Sequence, residues 1–413
     1  MFSKKKMTAF ILSFMLSVSC MGAAAISAAA TDTTTTVSET EEETTTETAT
    51  EEPEEITSGE YTYHIDEEYG GAVITEYEPK EKDVVIPEKI DDVTVVGLGD
   101  FIFNEQSQIE TLTIPTNLCH IGASAFYGTS IREFFVEEGH SMYKAEDGVL
   151  FSKDGIALVA YPPKKKDTSY VVPDGVEELY HGCFASNSYL TDVQLPDSLI
   201  YIDSWAFGNT IIESVDIPEN VTSIDSYAFA YMKRLTSIKI PPELIIIKGA
   251  TFAGCSNLKD VTLNEGLTEI GQSAFAGTAV RSIVIPTTVE SIGYCAFGYS
   301  EDLQTSYSTL VIYGLSGSIA QTYANDSDEE YDYKNNFTFV AKTSAQIKAM
   351  LSDGEENSDS ESEEATEPDV IVEKEDNSTS QFSWKVIIIA LGAVVLCGGV
   401  GAIAVSSKKS KKG

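Results

Sequence analysis

Histidine and cysteine are the residues whose chemistry would matter most for catalysis or metal binding, and neither is spaced for it. The four histidines show no H-E-x-x-H motif or other ligand spacing, so we expect them on the surface or lining the core. The central cysteines include no C-x-x-C pair, which predicts small buried thiols rather than disulfides or a zinc site. These residues are His64, His120, His140, His181, Cys119, Cys183, Cys255 and Cys295.

Carboxylates are abundant, but no paired acid and base stands out among them. Asp and Glu number 65 against 27 Lys and Arg, a formal net charge of −38. Such a chain is unsuited to nucleic acid, whose phosphates require a basic surface, and to an anionic membrane surface. The Lys164–Lys166 run is the one local basic patch to weigh, and a solvated loop explains it as well. We therefore predict no catalytic residue, metal or cofactor: the protein is not an enzyme and does not bind nucleic acid.

Binding is the chemistry that the polar side chains of the central region suit better. In a series of short predicted strands, alternate positions point outward and change type from one strand to the next. The candidate ligand face consists of Asp192, Gln194, Asp216, Lys239, Asp260 and Thr262. A solvated face without a ligand would vary in the same way, so both interpretations stay open.

A repeating unit of 22 or 23 residues positions these strands. Each copy has an anchor residue that closes an apolar strand, and a phenylalanine lies eleven residues after every anchor. The anchors are Pro115, Pro173, Pro196, Pro218, Pro241, Asn264 and Pro286. The phenylalanines are Phe126, Phe184, Phe207, Phe229, Phe252, Phe275 and Phe297. Pro87 and Phe103 form a looser copy.

One such unit cannot bury its own apolar face, whereas stacked copies can. We therefore predict a solenoid in which the phenylalanines stack as an internal spine. The residue before each phenylalanine is small, which leaves room for the ring of the adjacent coil. After the strand, the apolar positions fall three or four residues apart, which predicts a tight coil rather than a second strand.

The unit L-x-x-I-x-I-P-x-x-V-x-x-I-x-x-x-A-F-x-G, clear in Leu235–Gly254, resembles the leucine-rich repeat of BspA-like bacterial surface proteins. The resemblance covers roughly residues 61–340. Residues 147–173 resemble the longer hairpin-bearing coil of that family, and 312–324 with 337–340 resemble its C-terminal end coil. The resemblance implies an α/β-type solenoid dominated by short strands and irregular coils, and binding or adhesion at a cell surface rather than catalysis.

Both ends of the chain have the character of export and membrane segments. Lys4–Lys6 precede an apolar run and small residues up to Ala30, typical of a signal peptide, with a short membrane anchor as the alternative. Val386–Val405 carries no charge and is long enough to cross a bilayer, and the lysines after it favour a cytoplasmic end. The predicted organisation is a signal peptide at 1–30, a disordered Thr/Glu-rich linker at 31–58, the solenoid at 59–351, a disordered acidic stalk at 352–383, a transmembrane helix at 384–406 and a cytoplasmic Lys-rich tail at 407–413.

These features together predict an exported protein, anchored by one C-terminal helix, with most of its chain outside the cell. The expected partner is an extracellular protein, a glycan or the surface of another cell. The alternative is a structural spacer or assembly scaffold without a ligand of its own.

Overall fold

The computed structural model describes residues 53–352, apart from positions 105, 107, 301–302, 304–305, 307–308, 326 and 329–332. These residues belong to a unit that spans Pro53–Asn377. The predicted signal peptide, membrane helix and cytoplasmic tail, and almost all of both linkers, lie outside the described residues. Within the described ranges, no helix combines the length and the apolar character that a membrane crossing requires.

A small sheet overlaps the looser copy of the repeat and covers the first end of the core. Its strands are β1 (Ile56–Ser58), β2 (Tyr61–Asp66), β3 (Gly71–Tyr77), β5 (Lys89–Ile90) and β6 (Val93–Leu98). β1 pairs antiparallel with β2, which places Ile56 beside Tyr63. This pairing corrects the expected linker boundary, because residues 56–58 are part of the sheet rather than disordered chain.

Short parallel strands just before the anchors form a first ladder, which we call the anchor ladder. Its strands are β4 (Asp83–Val85), β7 (Thr111–Ile114), β9 (Glu133–Val136), β13 (Ser169–Val171), β15 (Asp192–Gln194), β18 (Ser237–Lys239), β20 (Asp260–Thr262), β22 (Ser282–Val284), β24 (Val311–Gly314) and β27 (Thr338–Ala341). These strands pair in four groups, β4–β7–β9, β13–β15, β18–β20 and β22–β24–β27. Within a group, neighbouring strands pair residue for residue, so that Val171 lies beside Gln194. The middle residue of a strand, such as Val193 or Ile238, is buried.

A second parallel ladder lies five and six residues after the anchors, where we expected only a tight coil. Its two-residue strands are β8 (His120–Ile121), β14 (Glu178–Leu179), β16 (Tyr201–Ile202), β17 (Ser223–Ile224), β19 (Ile246–Ile247), β21 (Glu269–Ile270) and β23 (Ser291–Ile292). The second residue of each pair packs inward, as Leu179 and Ile202 do. Each of these strands has only one outward and one inward residue, so the sequence shows no period from which the ladder could be predicted.

The predicted phenylalanine spine lies inside these coils, with one interruption. From Phe184 to Phe297, neighbouring ring centroids are 4.8 to 5.2 Å apart, and no two neighbouring planes differ by more than 11°. Phe126 instead stacks on Phe103 of the looser copy, at 6.2 Å. Beside Phe184 the next ring is that of Tyr161, at 5.4 Å.

An antiparallel hairpin explains this interruption. β10 (Tyr143–Glu146), β11 (Val149–Ser152) and β12 (Ala157–Ala160) form it, and β12 then pairs in parallel with β14 of the second ladder. The hairpin supplies Tyr161 where a regular coil supplies phenylalanine. The core accordingly forms two clusters, with Phe126 in the first and the six later phenylalanines in the second.

Left-handed backbone recurs nine and thirteen residues after the anchor, on either side of the phenylalanine. In the coil after Pro286 the second of these positions is Gly298, at offset twelve. Those at offset nine are Ser124, Gly182, Trp205, Tyr227, Ala250, Ser273 and Cys295. Those at offset thirteen are Gly128, Ser186, Asn209, Tyr231, Gly254 and Gly277. The glycine of the A-F-x-G motif is therefore favoured because it adopts this conformation without strain.

The C-terminal end closes the solenoid with α1 (Ile319–Asn325), β25 (Ser327–Asp328), β26 (Tyr333–Lys334) and α2 (Ser344–Ser352). Tyr323 of α1 lies at the end of the spine. Its hydroxyl accepts a hydrogen bond from the Phe297 amide at 2.8 Å and donates one to the Phe297 carbonyl at 2.9 Å. The last phenylalanine is thus covered by a side chain that also satisfies its backbone.

Candidate ligand-binding surface

Five of the six residues of the ligand face predicted from the sequence lie in strands of the anchor ladder, whereas Asp216 lies in the stretch between β15 and β18 that has no strand of this ladder. None of the six is buried. Gln194, Asp216, Lys239 and Asp260 are exposed, and Asp192 and Thr262 are partly exposed. The register brings side chains of successive coils together, with Lys239 beside Thr262. Their role in binding stays a prediction.

A second and chemically richer surface lies on the outer side of the second ladder. In the coil after Pro196, Tyr201, Asp203 and Trp205 are partly exposed, while the residues between them are buried. The coil before and the coils after add further residues at the same or nearby offsets. We call this set the Trp205 surface: Glu178, Tyr201, Asp203, Trp205, Asp225, Tyr227, Tyr231 and Lys248.

Three aromatic rings of this surface stack against one another. The Trp205 ring is 5.1 Å from that of Tyr227, with planes 2° apart, and 6.1 Å from that of Tyr231, with planes 11° apart. All three residues have positive φ, of 60 to 63°, which bulky side chains rarely adopt. The indole also lies against Gly208, where an added Cβ would be 2.5 Å from Trp205 Cε3. The chain therefore holds these rings at the surface at the expense of backbone strain.

Carboxylates of successive coils crowd together beside the rings. Burial raises the pKa of Asp203, and the nearby Asp225 carboxylate adds to the effect. Burial followed by the charge of Asp203 likewise raises the pKa of Glu178. Asp225 accepts a hydrogen bond from the Tyr201 hydroxyl at 2.9 Å and pairs with Lys248. Among the described residues, the ion pairs include none with Asp203 or Glu178.

His64, His120 and His181 are partly exposed, and His140 is buried, at only 1% exposed. Its Nδ1 accepts hydrogen bonds from the amides of Met142 and Tyr143, so the imidazole caps a turn. Burial lowers the pKa of His140 and of His181. His181 Nδ1 lies 3.1 Å from Ser124 Oγ, beside a cavity of about 20 Å³ at the hairpin coil. That volume has room for about one water molecule and none for a substrate.

The cysteines behave as small core residues. Cys183, Cys255 and Cys295 are buried, and Cys119 is partly exposed. All four are free thiols, and burial raises the pKa of Cys255 and Cys295 to about 12. Over the ranges that the structure describes, no three His, Cys, Asp or Glu side chains converge as a metal site would require.

The Lys164–Lys166 run is not a free basic patch. Lys165 is held between two carboxylates, 3.0 Å from Asp147 and 3.4 Å from Asp167. Lys164 donates to the Ser188 hydroxyl at 3.0 Å. Lys164 and Lys165 therefore tie the hairpin coil to its neighbours, and Lys166 is the exposed residue of the run.

Reasoning from the sequence missed the Trp205 surface because it assigned no strand to that side of the coil. A signal was present in the repeat itself. Offset nine carries large aromatic residues in two consecutive coils, Trp205 and Tyr227, where most other coils carry small ones. Offset seven carries Asp203 and Asp225 in the same two coils. The two coils therefore depart from the pattern of the repeat together, at offsets seven and nine.

The fold is a leucine-rich repeat solenoid with short parallel strands on two sides of its coils, and residues 115–297, all of them described, contain no α-helix. The profile of the BspA type leucine rich repeat region matches residues 82–152 and 168–304, in six copies. Because the match covers half of the chain, the chain belongs to this family. The resemblance of the repeat unit to BspA-like proteins is thereby confirmed. Among curated proteins, none is similar in sequence.

Several solved structures are similar to this chain. A leucine-rich repeat protein from Eubacterium ventriosum is 22% identical, with 52% of this chain and 70% of that chain covered and a TM-score of 0.42. The pneumococcal vaccine antigen PcpA is 18% identical over 70% of this chain and 99% of its own, with a TM-score of 0.38. A leucine rich cell surface protein from Faecalibacterium prausnitzii is 19% identical over 73% and 98%, with a TM-score of 0.32. The family assignment rests on the repeat profile, not on these likenesses.

Proposed function

We propose that this protein recognises a macromolecule at the cell surface and that the Trp205 surface makes the contact. The observation that carries the proposal is that this surface destabilises the folded state. Trp205, Tyr227 and Tyr231 have strained backbone, and Asp203 ionises against burial and a neighbouring acid. Features that oppose folding and lie together on a surface are characteristic of functional sites.

The residue types also suit an interface. Tryptophan and tyrosine are enriched among the residues that dominate binding energy, because they offer large rigid area with a polar atom. The Trp205 surface combines such rings with carboxylates and a lysine, which supply specificity. In this proposal the chain is exported, and the segment 384–406 anchors it with the solenoid outside.

The test is a binding screen with the full-length chain in detergent against arrayed matrix proteins, glycans and microbial cells. The proposal expects saturable binding that is lost when the chain is unfolded in denaturant. It also expects the loss of at least nine-tenths of the signal in the double variant Trp205→Gly and Tyr227→Ala. These substitutions introduce the residues that neighbouring coils carry at the same offset, Gly182 and Ala250, so the backbone tolerates them. Tyr189→Ala, at an aromatic residue 37% exposed elsewhere, is the matched control.

An assembly scaffold is the second candidate, and exposed apolar side chains on the anchor ladder favour it. Val85, Phe135 and Val171 are 59%, 44% and 62% exposed. Apolar side chains left in water suit contact with another protein. The scaffold function would replace recognition if two results occurred together. The array would give no binding signal, and the chain would self-associate with rising concentration in a way that Phe135→Ser abolishes.

A further inference from the structure

We propose that His140 is a pH-sensitive cap: in mildly acidic solution its imidazole takes up a proton, and the turn that leads into the hairpin opens. This turn joins β9 to β10, and His140 lies in it with only 1% of its surface exposed. Two observations carry the inference. They are the hydrogen bonds of the imidazole, and a second turn of this chain that has the same hydrogen bonds but no titratable group.

The hydrogen bonds of His140 require a neutral ring. Its Nδ1 accepts from the Met142 amide at 3.0 Å and from the Tyr143 amide at 3.1 Å. The proton of the neutral ring is therefore on Nε2, which is buried and forms no hydrogen bond within the described residues. An imidazolium carries a proton on both nitrogens and has no acceptor. Protonation at Nδ1 thus breaks both hydrogen bonds and places a third N–H against the two amides.

A turn with the same hydrogen bonds is capped by Asn187. Its Oδ1 accepts from the amides two and three residues later, those of Tyr189 at 2.9 Å and Leu190 at 2.8 Å. Asparagine commonly stabilises turns in this way, and its side chain does not titrate. His140 therefore performs a task for which this chain elsewhere uses a residue that is insensitive to pH.

The surroundings of His140 favour the neutral ring. Burial lowers the pKa of His140 below the ordinary value of 6.5, and the charge of Lys153 lowers it further. The groups that act in the opposite direction are the Pro115 carbonyl, the Glu137 carboxylate and the Leu118 carbonyl. The Tyr143 ring, 5.3 Å away, adds no charge, because burial raises its own pKa.

The sign of the pH effect follows from this difference between the closed and the open turn. Above pH 6.5 the imidazole is neutral in both, so the pH has no influence on the opening. As the pH falls below 6.5, the ring of the open turn binds a proton while that of the closed turn does not. The open population therefore rises by up to about tenfold per pH unit, until the pH reaches the pKa of His140 in the closed turn.

Opening of the turn loosens the hairpin at its first strand. Met142, whose amide is bonded to the imidazole, also accepts from the Lys153 amide at 2.7 Å. Tyr143 is the first residue of β10 and pairs with Ser152 of β11. Both residues that lose their bond to His140 are thus also bonded to the hairpin. We therefore expect acid to increase the mobility of the hairpin while the turn at Asn187 stays closed.

The test is hydrogen exchange of the full-length chain in detergent at pH 7.5 and pH 5.5, resolved to single amides by mass spectrometry. Each rate is divided by the intrinsic rate of an unstructured amide at that pH, so that the remaining change reports opening. We expect the protection of the Met142 and Tyr143 amides to fall at least fivefold more than that of the Tyr189 and Leu190 amides, which are the internal control. An equal response of the two turns would overturn the inference.

Two variants assign the response to one side chain. His140→Asn supplies the cap that Asn187 provides and should abolish the difference between the two turns. His64→Asn, at a partly exposed histidine of β2, is the matched control and should leave that difference unchanged. A difference that persists in His140→Asn would assign the response to another group and overturn the inference. If His140→Asn lacks protection already at pH 7.5, the comparison of the two turns in the unaltered chain decides alone.

Discussion

At the residue scale, the stacked phenylalanines are the features that most directly test the register of the repeat. Phe207 is fully buried, with ring centroids 5.2 Å from Phe184 and 5.1 Å from Phe229. We expect Phe207→Ala to lower the free energy of unfolding by about 3–5 kcal/mol, because it opens a cavity within a close-packed stack. Denaturant unfolding followed by circular dichroism measures the loss. Phe135→Ala, at a ring 44% exposed, is the control and should cost under about 1 kcal/mol. A loss below about 1 kcal/mol for Phe207→Ala would contradict the assignment of the spine.

Asp203 provides a test in which removing a charge stabilises the fold. Its folded-state pKa is raised above the ordinary value of 3.8. A raised carboxyl pKa contributes stability below the unfolded pKa, and that contribution is lost as the pH rises through the folded pKa. Asp203→Asn should therefore raise the unfolding midpoint at pH 7, and the gain should vanish near pH 3. Thermal unfolding at both pH values checks this, with exposed Asp216→Asn as the control. A lower midpoint at pH 7 would show that the ionised carboxylate supports the fold.

At the element scale, the loop around each phenylalanine is defined by its two left-handed residues. Gly254 has φ +72°, and an added Cβ would lie 2.6 Å from the Tyr231 ring. We expect Gly254→Ala to cost about 1–3 kcal/mol of unfolding free energy through backbone strain, with crowding of Tyr231 in addition. Gly249→Ala is the matched control, since that glycine has ordinary φ and its nearest neighbour is 3.4 Å away. It should change stability by under about 1 kcal/mol. Equal effects of the two substitutions would contradict the left-handed assignment.

The anchor ladder and the spine could be predicted from the sequence because their residues repeat at fixed offsets. Val193 and Phe207 are recognisable for that reason. The second ladder could not, because its strands are two residues long and provide no period. Tyr161 could not be placed in the stack, because the hairpin breaks the offset that identifies the phenylalanines. The Trp205 surface combines residues of neighbouring coils that lie together only through the ladder pairing of Glu178, Tyr201 and Ser223.

At the scale of the whole molecule, the location of the solenoid is a prediction from the two ends of the chain. The apolar segment 384–406 and the lysines after it predict a helix that crosses the membrane with its C-terminus inside. Deleting residues 384–413 should move the protein from the membrane fraction to the medium. Protease added to intact cells should remove the solenoid of the full-length chain and leave a small membrane-bound C-terminal fragment, detected through an epitope after Gly413. Retention of the deleted chain in the membrane would contradict the anchor.

We propose that this solenoid binds its ligand through the Trp205 surface rather than through the anchor ladder. The most direct measurement compares binding isotherms of three full-length chains against the ligand that the array identifies. They are the unaltered chain, the double variant Trp205→Gly and Tyr227→Ala, and a triple variant with Gln194, Asp216 and Lys239 each changed to Ala. We predict that the double variant loses at least tenfold in affinity and that the triple variant stays within twofold. A triple variant that loses binding while the double variant keeps it would contradict the claim and locate the site on the anchor ladder.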